Sequence, residues 1–202
     1  MKLHHSPSSP YVRKVMALAI ETGLDRKLEM LSLAVSPINP NDDLNRSNPL
    51  GKIPALVLED GTTLYDSRVI CEYLDSLHDG HKLFPVQDPA RWTALRRQAL
   101  ADGVLDAAVS LRYETFLRPE AQRWGDWIDG QRQKILRALD QLEAETDSFA
   151  DGVDIGTLSV GCALGYLDFR FADLGWRESR PGLAGWYQMF SHRPSLAGTT
   201  PA

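Results

Sequence analysis

Asn48-Pro49-Leu50-Gly51-Lys52-Ile53-Pro54-Ala55-Leu56-Val57-Leu58-Glu59-Asp60-Gly61-Thr62-Thr63-Leu64-Tyr65-Asp66-Ser67 orders a turn, a strand, a hairpin, a second strand and a helix start along one short run. The turn comes from Asn48-Pro49 and Gly51, and the hairpin from Asp60-Gly61, a pair suited to the positive φ of a tight connection. Pro54 opens the first apolar run, where a strand tolerates proline because no ladder donor is yet required. A cis Ile53-Pro54 bond would turn the backbone N–H and C=O of Ile53 outward at the sheet edge, free to pair with an extended peptide as an added strand. Asp66-Ser67 stands where the next helix begins. Its first N–H groups and the Ser67 hydroxyl suit a carboxylate, while Asp66 suits an ammonium. A small zwitterionic peptide fits these groups. The plainer alternative is an ordinary hairpin followed by a capped helix; each dipeptide alone favours it, whereas their joint order favours a site.

Upstream, residues 3–5 read as a short strand. Ser6-Pro7-Ser8-Ser9-Pro10 reads as a loop ending in a helix start, with Ser9 as N-cap and Pro10 in the first helical position. Val12, Val15, Met16, Ala19 and Ile20 recur at three- and four-residue intervals until Gly23 closes that helix. Residues 28–33 read as a second strand, followed by a loop or short helix after Pro37 and Pro40. Downstream of Ser67, the apolar face of Val69, Ile70, Tyr73, Leu74 and Leu77 predicts a third helix, closed by His78 and Gly80.

Leu83-Phe84-Pro85-Val86-Gln87-Asp88-Pro89 marks a domain boundary, with Asp88 expected as N-cap and Pro89 in the first helical position. Strand signals stop there. Helices are expected over about 90–114 and 123–146, the latter with a face of Trp124, Trp127, Ile128, Ile135, Leu139 and Leu142. Val153-Asp154-Ile155-Gly156-Thr157-Leu158 is another helix start, in which Asp154 caps Thr157 and Val153 staples to Leu158; one of the two reciprocal capping bonds is expected to survive. The helix behind it has no polar face, as a helix buried all round requires. A last helix is expected over 181–191.

With 202 residues, 43% of them apolar and 24% charged, the chain is of ordinary globular composition. Its 22 basic and 27 acidic residues give a net charge of −5, so no overall cationic field exists to hold nucleic acid or anionic membrane. No apolar run approaches a membrane span and the N-terminus lacks a signal-peptide pattern, so a cytoplasmic location is expected. Cys71 and Cys162 lie far apart within apolar helical patterns and read as buried thiols. His4, His5, His78, His81 and His192 have no metal-site spacing, and no metal is expected.

The central stretch, Ser9-Pro10-Tyr11-Val12-Arg13-Lys14-Val15 near the start, and Trp186 with Arg193-Pro194-Ser195 near the end together resemble the glutathione S-transferase family over nearly the whole chain. The resemblance implies an α/β plus all-α protein. Residues 1–82 would form a thioredoxin-like glutathione-binding domain with a right-handed crossover, 83–88 a linker, and 89–202 an all-helical domain contributing the electrophile pocket. It also implies a cytoplasmic detoxification enzyme, homodimeric through the third and fourth helices, with glutathione as co-substrate and a small electrophile as acceptor. A glutathione-dependent isomerase or dehalogenase begins from the same thiolate, and some bacterial relatives are non-catalytic binding proteins; both stand as alternatives. A disulfide reductase is disfavoured, because serine occupies the helix start where such enzymes carry cysteine.

The run from Ser9 looks like the serine-proline-aromatic start of the tau-like, zeta-like and related bacterial transferases, whose activating serine comes first. Ser9 is therefore expected to be catalytic, ahead of Ser8 and Ser6, with a plain N-cap as its alternative role. A thiol of pKa about 8.5 is only roughly 3% ionised at pH 7. A hydrogen bond to the thiolate alone, worth about 1.5 to 3 kcal/mol, lowers that pKa by roughly one or two units. The resemblance further assigns Ile53 to the cysteinyl backbone, Asp66 and Ser67 to the γ-glutamyl end and Lys52 to the glycine carboxylate. Tyr11, Arg112, Tyr113 and Phe116 are the expected electrophile pocket. A buried, unpaired Arg112 would favour an anionic electrophile or a polarised carbonyl; a solvated arginine paired with a carboxylate is the commoner arrangement.

Overall fold

The structure, a computed structural model, describes residues 1–149 and 152–201. Two compact units emerge, one made of residues 1–86 with 194–202 and the other of residues 87–193. The first holds a four-stranded sheet ordered β2-β1-β3-β4, built from β1 (Lys2–His5), β2 (Glu29–Ser32), β3 (Ala55–Val57) and β4 (Thr63–Leu64). β1 runs parallel to β2 and antiparallel to β3, which is antiparallel to β4. This is a thioredoxin-like sheet. Helix α1 (Pro10–Glu21) connects the parallel pair, and α2 (Asp42–Ser47) precedes β3. Helix α3 (Ser67–Ser76) follows β4 and packs against α1, burying Val15, Leu18, Ile70 and Leu74 with Leu3 and Leu56 of the sheet.

Asp75, 3% exposed near the end of α3, accepts from the backbone N–H groups of Leu83 (2.9 Å) and Phe84 (3.1 Å) and contacts His78 Nε2 at 3.1 Å. One carboxylate thus satisfies two buried donors where the chain leaves α3. The sequence reading carried the helical domain to residue 202. Instead, the short α8 (Pro194–Ala197) and the residues behind it return to the first unit. The buried Arg13 of α1 draws them in: its Nη2 donates to the Leu196 carbonyl at 3.0 Å, and Ser195 Oγ donates to Glu21 at 2.5 Å.

The second unit is all helical, with α4 (Ala90–Arg112), α5 (Gly125–Ala144), α6 (Ile155–Arg170) and α7 (Pro181–Phe190). A π-helical turn, Tyr113–Leu117, extends α4. Every residue of α6 from Ile155 to Leu167 is buried, in keeping with its apolar sequence. Both bonds of its capping box form: Thr157 N–H donates to Asp154 Oδ1 at 2.8 Å and Asp154 N–H to Thr157 Oγ1 at 3.0 Å. Each backbone donor needs only an acceptor oxygen, so carboxylate first and hydroxyl third works as well as the reverse order. Asp88 does not cap α4. Pro89 occupies the cap position, and the Gln87 carbonyl takes the Arg91 N–H at 3.1 Å. On α5, Ile135, Leu139 and Leu142 are buried as expected, but Trp124, ahead of the helix, is 62% exposed.

Between α4 and α5, Glu145 accepts from Arg96 through both oxygens (2.7 and 2.6 Å), from Arg97 Nε at 3.3 Å and from Gln141 at 2.6 Å. The Arg96 hydrogen bond, followed by those of Gln141 and Arg97, holds its carboxyl down to about 2. A depressed carboxylate stabilises the fold above its unfolded value of 4.5, and that contribution disappears as pH falls through about 2. Arg96 is half exposed, so solvent screening reduces the contribution to about 1 to 2 kcal/mol. Glu145→Gln is expected to lose that amount in urea unfolding at pH 7 and almost none of it at pH 2, flattening the acid limb of the stability profile.

Candidate active site

Strand register brings the expected site residues of the first unit together. His4 of β1 pairs with Ala55 of β3, so the loop that follows β1, with Ser6, Ser8 and Ser9, leaves the sheet at the end where Ile53 and Pro54 enter it. Leu64 of β4 pairs with Leu56 of β3, so Tyr65 and Asp66 leave at that same end. With strands about 4.8 Å apart, the three strand ends span roughly 10 Å. The starts of α1 and α3 lie there too, each presenting first-turn N–H groups and a partial positive charge.

Ser9 is the N-cap of α1: Val12 N–H donates to its Oγ at 3.3 Å, and Pro10 holds the first helical position. The Ser6 and Ser8 hydroxyls are 3.3 Å apart and bond each other. Among the described residues, nothing accepts the Ser9 hydroxyl proton. It can therefore donate to a ligand while the oxygen caps the helix. His4 and His5 are both held below the ordinary imidazole pKa, in each case first by burial. His4 Nε2 lies 3.1 Å from Ser47 Oγ.

The Ile53-Pro54 bond is cis. Ile53 precedes the paired register of β3, which leaves its backbone N–H and C=O outside the ladder. Sequence reasoning missed what holds this loop. Asn48, 2% exposed, donates from Nδ2 to the Lys52 carbonyl (2.8 Å) and accepts from Leu50 N–H at Oδ1 (3.1 Å). Gly51 turns with φ +60°, the left-handed region that glycine enters without strain, and a Cβ there would also press on Asn45 Oδ1 at 2.9 Å. The cue was an asparagine ahead of a proline, read only as a turn. Lys52 itself is exposed. Asp66 caps α3, taking the Arg68 N–H at 2.9 Å on Oδ1. Ser67, 2% exposed, opens that helix.

Tyr11 is half-buried on α1. Arg112, Tyr113 and Phe116 belong to the second unit, where they form a group around the end of α4. The Arg112 guanidinium lies over the Phe116 ring at 3.6 Å, and Tyr113 and Phe116 are 40% and 62% exposed. The expected carboxylate partner of Arg112 does not occur among the described residues. Desolvation, followed by the charge of Arg170, lowers its pKa. Among the described residues, no group of three or more His, Cys, Asp or Glu is placed to hold a metal, and no helix is long and apolar enough to cross a membrane.

Both units have relatives among known proteins. Residues 8–77 match the glutathione S-transferase N-terminal domain family, and residues 125–188 match the C-terminal domain family. The uncharacterized GST-like protein YibF of Escherichia coli is 37% identical, over 100% of this chain and 98% of its own length. A glutathione transferase family member from Pseudomonas fluorescens Pf-5, solved with bound glutathione, superposes with a TM-score of 0.98 at 52% identity, covering 100% of this chain and 98% of that one. A second structure of a family member from that bacterium, with bound S-(propanoic acid)-glutathione, gives a TM-score of 0.93 at 51% identity, with both chains fully covered.

Proposed function

This chain belongs to the glutathione S-transferase family, and we propose that it is a serine-type transferase that ionises the thiol of glutathione at Ser9 and adds the thiolate to a small electrophile. The observation that carries this is the convergence of the Ser9 cap, the unpaired Ile53 backbone beside cis Pro54 and the Asp66-Ser67 helix start at one end of the sheet. Glutathione matches these groups in order. The Ser9 hydroxyl donates to sulfur, Ile53 pairs with the cysteinyl backbone, Asp66 and Ser67 take the γ-glutamyl ammonium and carboxylate, and Lys52 meets the glycine carboxylate. The Pseudomonas relative solved with an S-substituted glutathione supports sulfur as the reacting atom.

Serine acts without deprotonation. Its O–H stabilises the thiolate, and the α1 N-terminus contributes in the same direction. The thiol proton passes to solvent. Sulfur then forms a bond to the electrophilic carbon, and the leaving group departs with its electron pair. In this reading the sheet-containing unit binds glutathione, the helical unit supplies Arg112, Tyr113 and Phe116 for the acceptor, and the protein works as a cytoplasmic homodimer.

Conjugation of 1-chloro-2,4-dinitrobenzene tests the assignment. Ser9→Ala is expected to lower kcat/KM by roughly 10- to 100-fold at pH 6.5, the equivalent of one to two pKa units. The deficit should shrink above about pH 8.5, where free thiol ionises unaided. Equal rates for the two proteins at pH 6.5 would remove Ser9 from the mechanism.

A further inference from the structure

Helices α4 and α6 run side by side in the same direction. Near the start of α6, a Cβ at Gly156 would lie 2.7 Å from the Ala94 carbonyl and 2.8 Å from Arg97 Cβ, both near the start of α4. At a rise of about 1.5 Å per residue, Arg170 at the end of α6 then comes level with the last turn of α4, where Arg112 stands. Tyr166 and Arg170, one turn apart, share a face of α6. Arg112, Tyr113, Tyr166 and Arg170 lie close enough to act on one another's ionisation, and burial raises the pKa of both tyrosines. Tyr166 is 5% exposed, and both guanidiniums are partly exposed.

Two guanidiniums from different helices thus approach one another, and among the described residues neither has a carboxylate partner. Their aromatic supports are Phe116 under Arg112 at 3.6 Å and Phe169 under Arg170 at 3.8 Å. Nearby carboxylates on the same elements are committed elsewhere. Glu114 accepts from Trp124 N–H at 3.0 Å and from Arg118 at 2.7 Å, and Asp168 accepts from Trp176 Nε1 at 2.9 Å and from Arg177. An arginine at a helix C-terminus suits the helix dipole, which accounts for one at each end. It does not account for two brought together, since like charges repel unless an anion lies between them.

We propose that Arg112 and Arg170, with the Tyr113 and Tyr166 hydroxyls beside them, form a clamp for a carboxylate, so that the acceptor is a carboxylate-bearing electrophile. Only the word acceptor rests on the transferase reading; the clamp stands on the helical unit alone. Planar guanidiniums held over aromatic rings match a carboxylate through paired N–H groups, with phenolic O–H groups as further donors.

Calorimetry on the full chain with 4-chloro-3-nitrobenzoate and 4-chloro-3-nitrobenzamide separates charge recognition from ring binding. Wild type is expected to bind the benzoate about 10-fold or more tighter than the amide. Arg112→Met and Arg170→Met should each remove most of that preference, read as the ratio of benzoate to amide affinity, and Arg170→Lys should keep part of it. The two substitutions lie on separate helices, so one remains informative if the other fails to fold. Equal binding of the two probes by wild type, no benzoate binding at millimolar concentration, or a preference surviving both methionine variants overturns the clamp. Glutathione titrated into the same samples reads the thiol site separately. Loss there with the benzoate preference intact withdraws the acceptor role and leaves the anion site.

Discussion

Gly156→Val is expected to destabilise the protein by about 3 kcal/mol or more, as urea unfolding of the two proteins will show. Gly156 is the second residue of α6, and α4 occupies the place of its missing side chain. A Cβ would stand 2.7 Å from the Ala94 carbonyl, 2.8 Å from Arg97 Cβ and 3.0 Å from Asp154 Oδ1. The first two cannot swing aside: one is helix backbone and the other the root of a side chain fixed along its length. Arg97 is 5% exposed, bonded to Glu145 and Ser148, with its guanidinium 4.6 Å from the Phe149 ring centre. Separating the helices would therefore loosen this network and pull on the Asp154 cap. Replacing glycine in a helix gains at most about 1 kcal/mol of propensity, so Gly156→Ala should still be destabilising, by roughly 1 to 2 kcal/mol. Gly130, on an exposed face of α5 with nothing near its Cβ position, provides the opposite sign. Gly130→Ala should raise stability by up to about 1 kcal/mol.

Asp75→Ala should cost roughly 2 to 4 kcal/mol, because removing the carboxylate strands the N–H groups of Leu83 and Phe84 at about 1 to 3 kcal/mol each. Those residues are 2% and 5% exposed, so water does not readily replace the lost acceptor. Asp75→Asn keeps one acceptor oxygen and should lose about half as much. Comparing the two variants by urea unfolding separates hydrogen bonding from packing: if the effect were only volume, Asp75→Asn would behave as wild type.

The features readable from sequence are those encoded by a few adjacent residues. Ser9-Pro10 predicts a capped helix start, and both roles are present. Asp60-Gly61 predicts the hairpin between β3 and β4: Gly61 has φ +87° and Asp60 takes the Thr62 N–H at 2.9 Å. The Ile53-Pro54 and Asp66-Ser67 segments were legible for the same reason, since turn, proline and cap chemistry is local. What escaped depends on residues far apart. Nothing around Arg13 indicates that its guanidinium will bind the carbonyl of Leu196, and so the tail was assigned to the wrong unit. Nothing beside Arg170 in the sequence indicates that its charge will act on Arg112 of another helix. Trp124 read as part of a buried stripe, yet it stands before the first turn of α5, where Glu114 takes its N–H at 3.0 Å and the helical period does not yet apply.

In the proposed mechanism the first unit holds glutathione as a thiolate through Ser9. Titration of the ultraviolet thiolate absorbance of bound glutathione against pH measures this directly. In wild type the thiol pKa is expected to lie at least about one unit below the free value of about 8.5, returning toward that value in Ser9→Ala. Bound glutathione that titrates like the free thiol in wild type, or a lowered pKa that persists in Ser9→Ala, would contradict it.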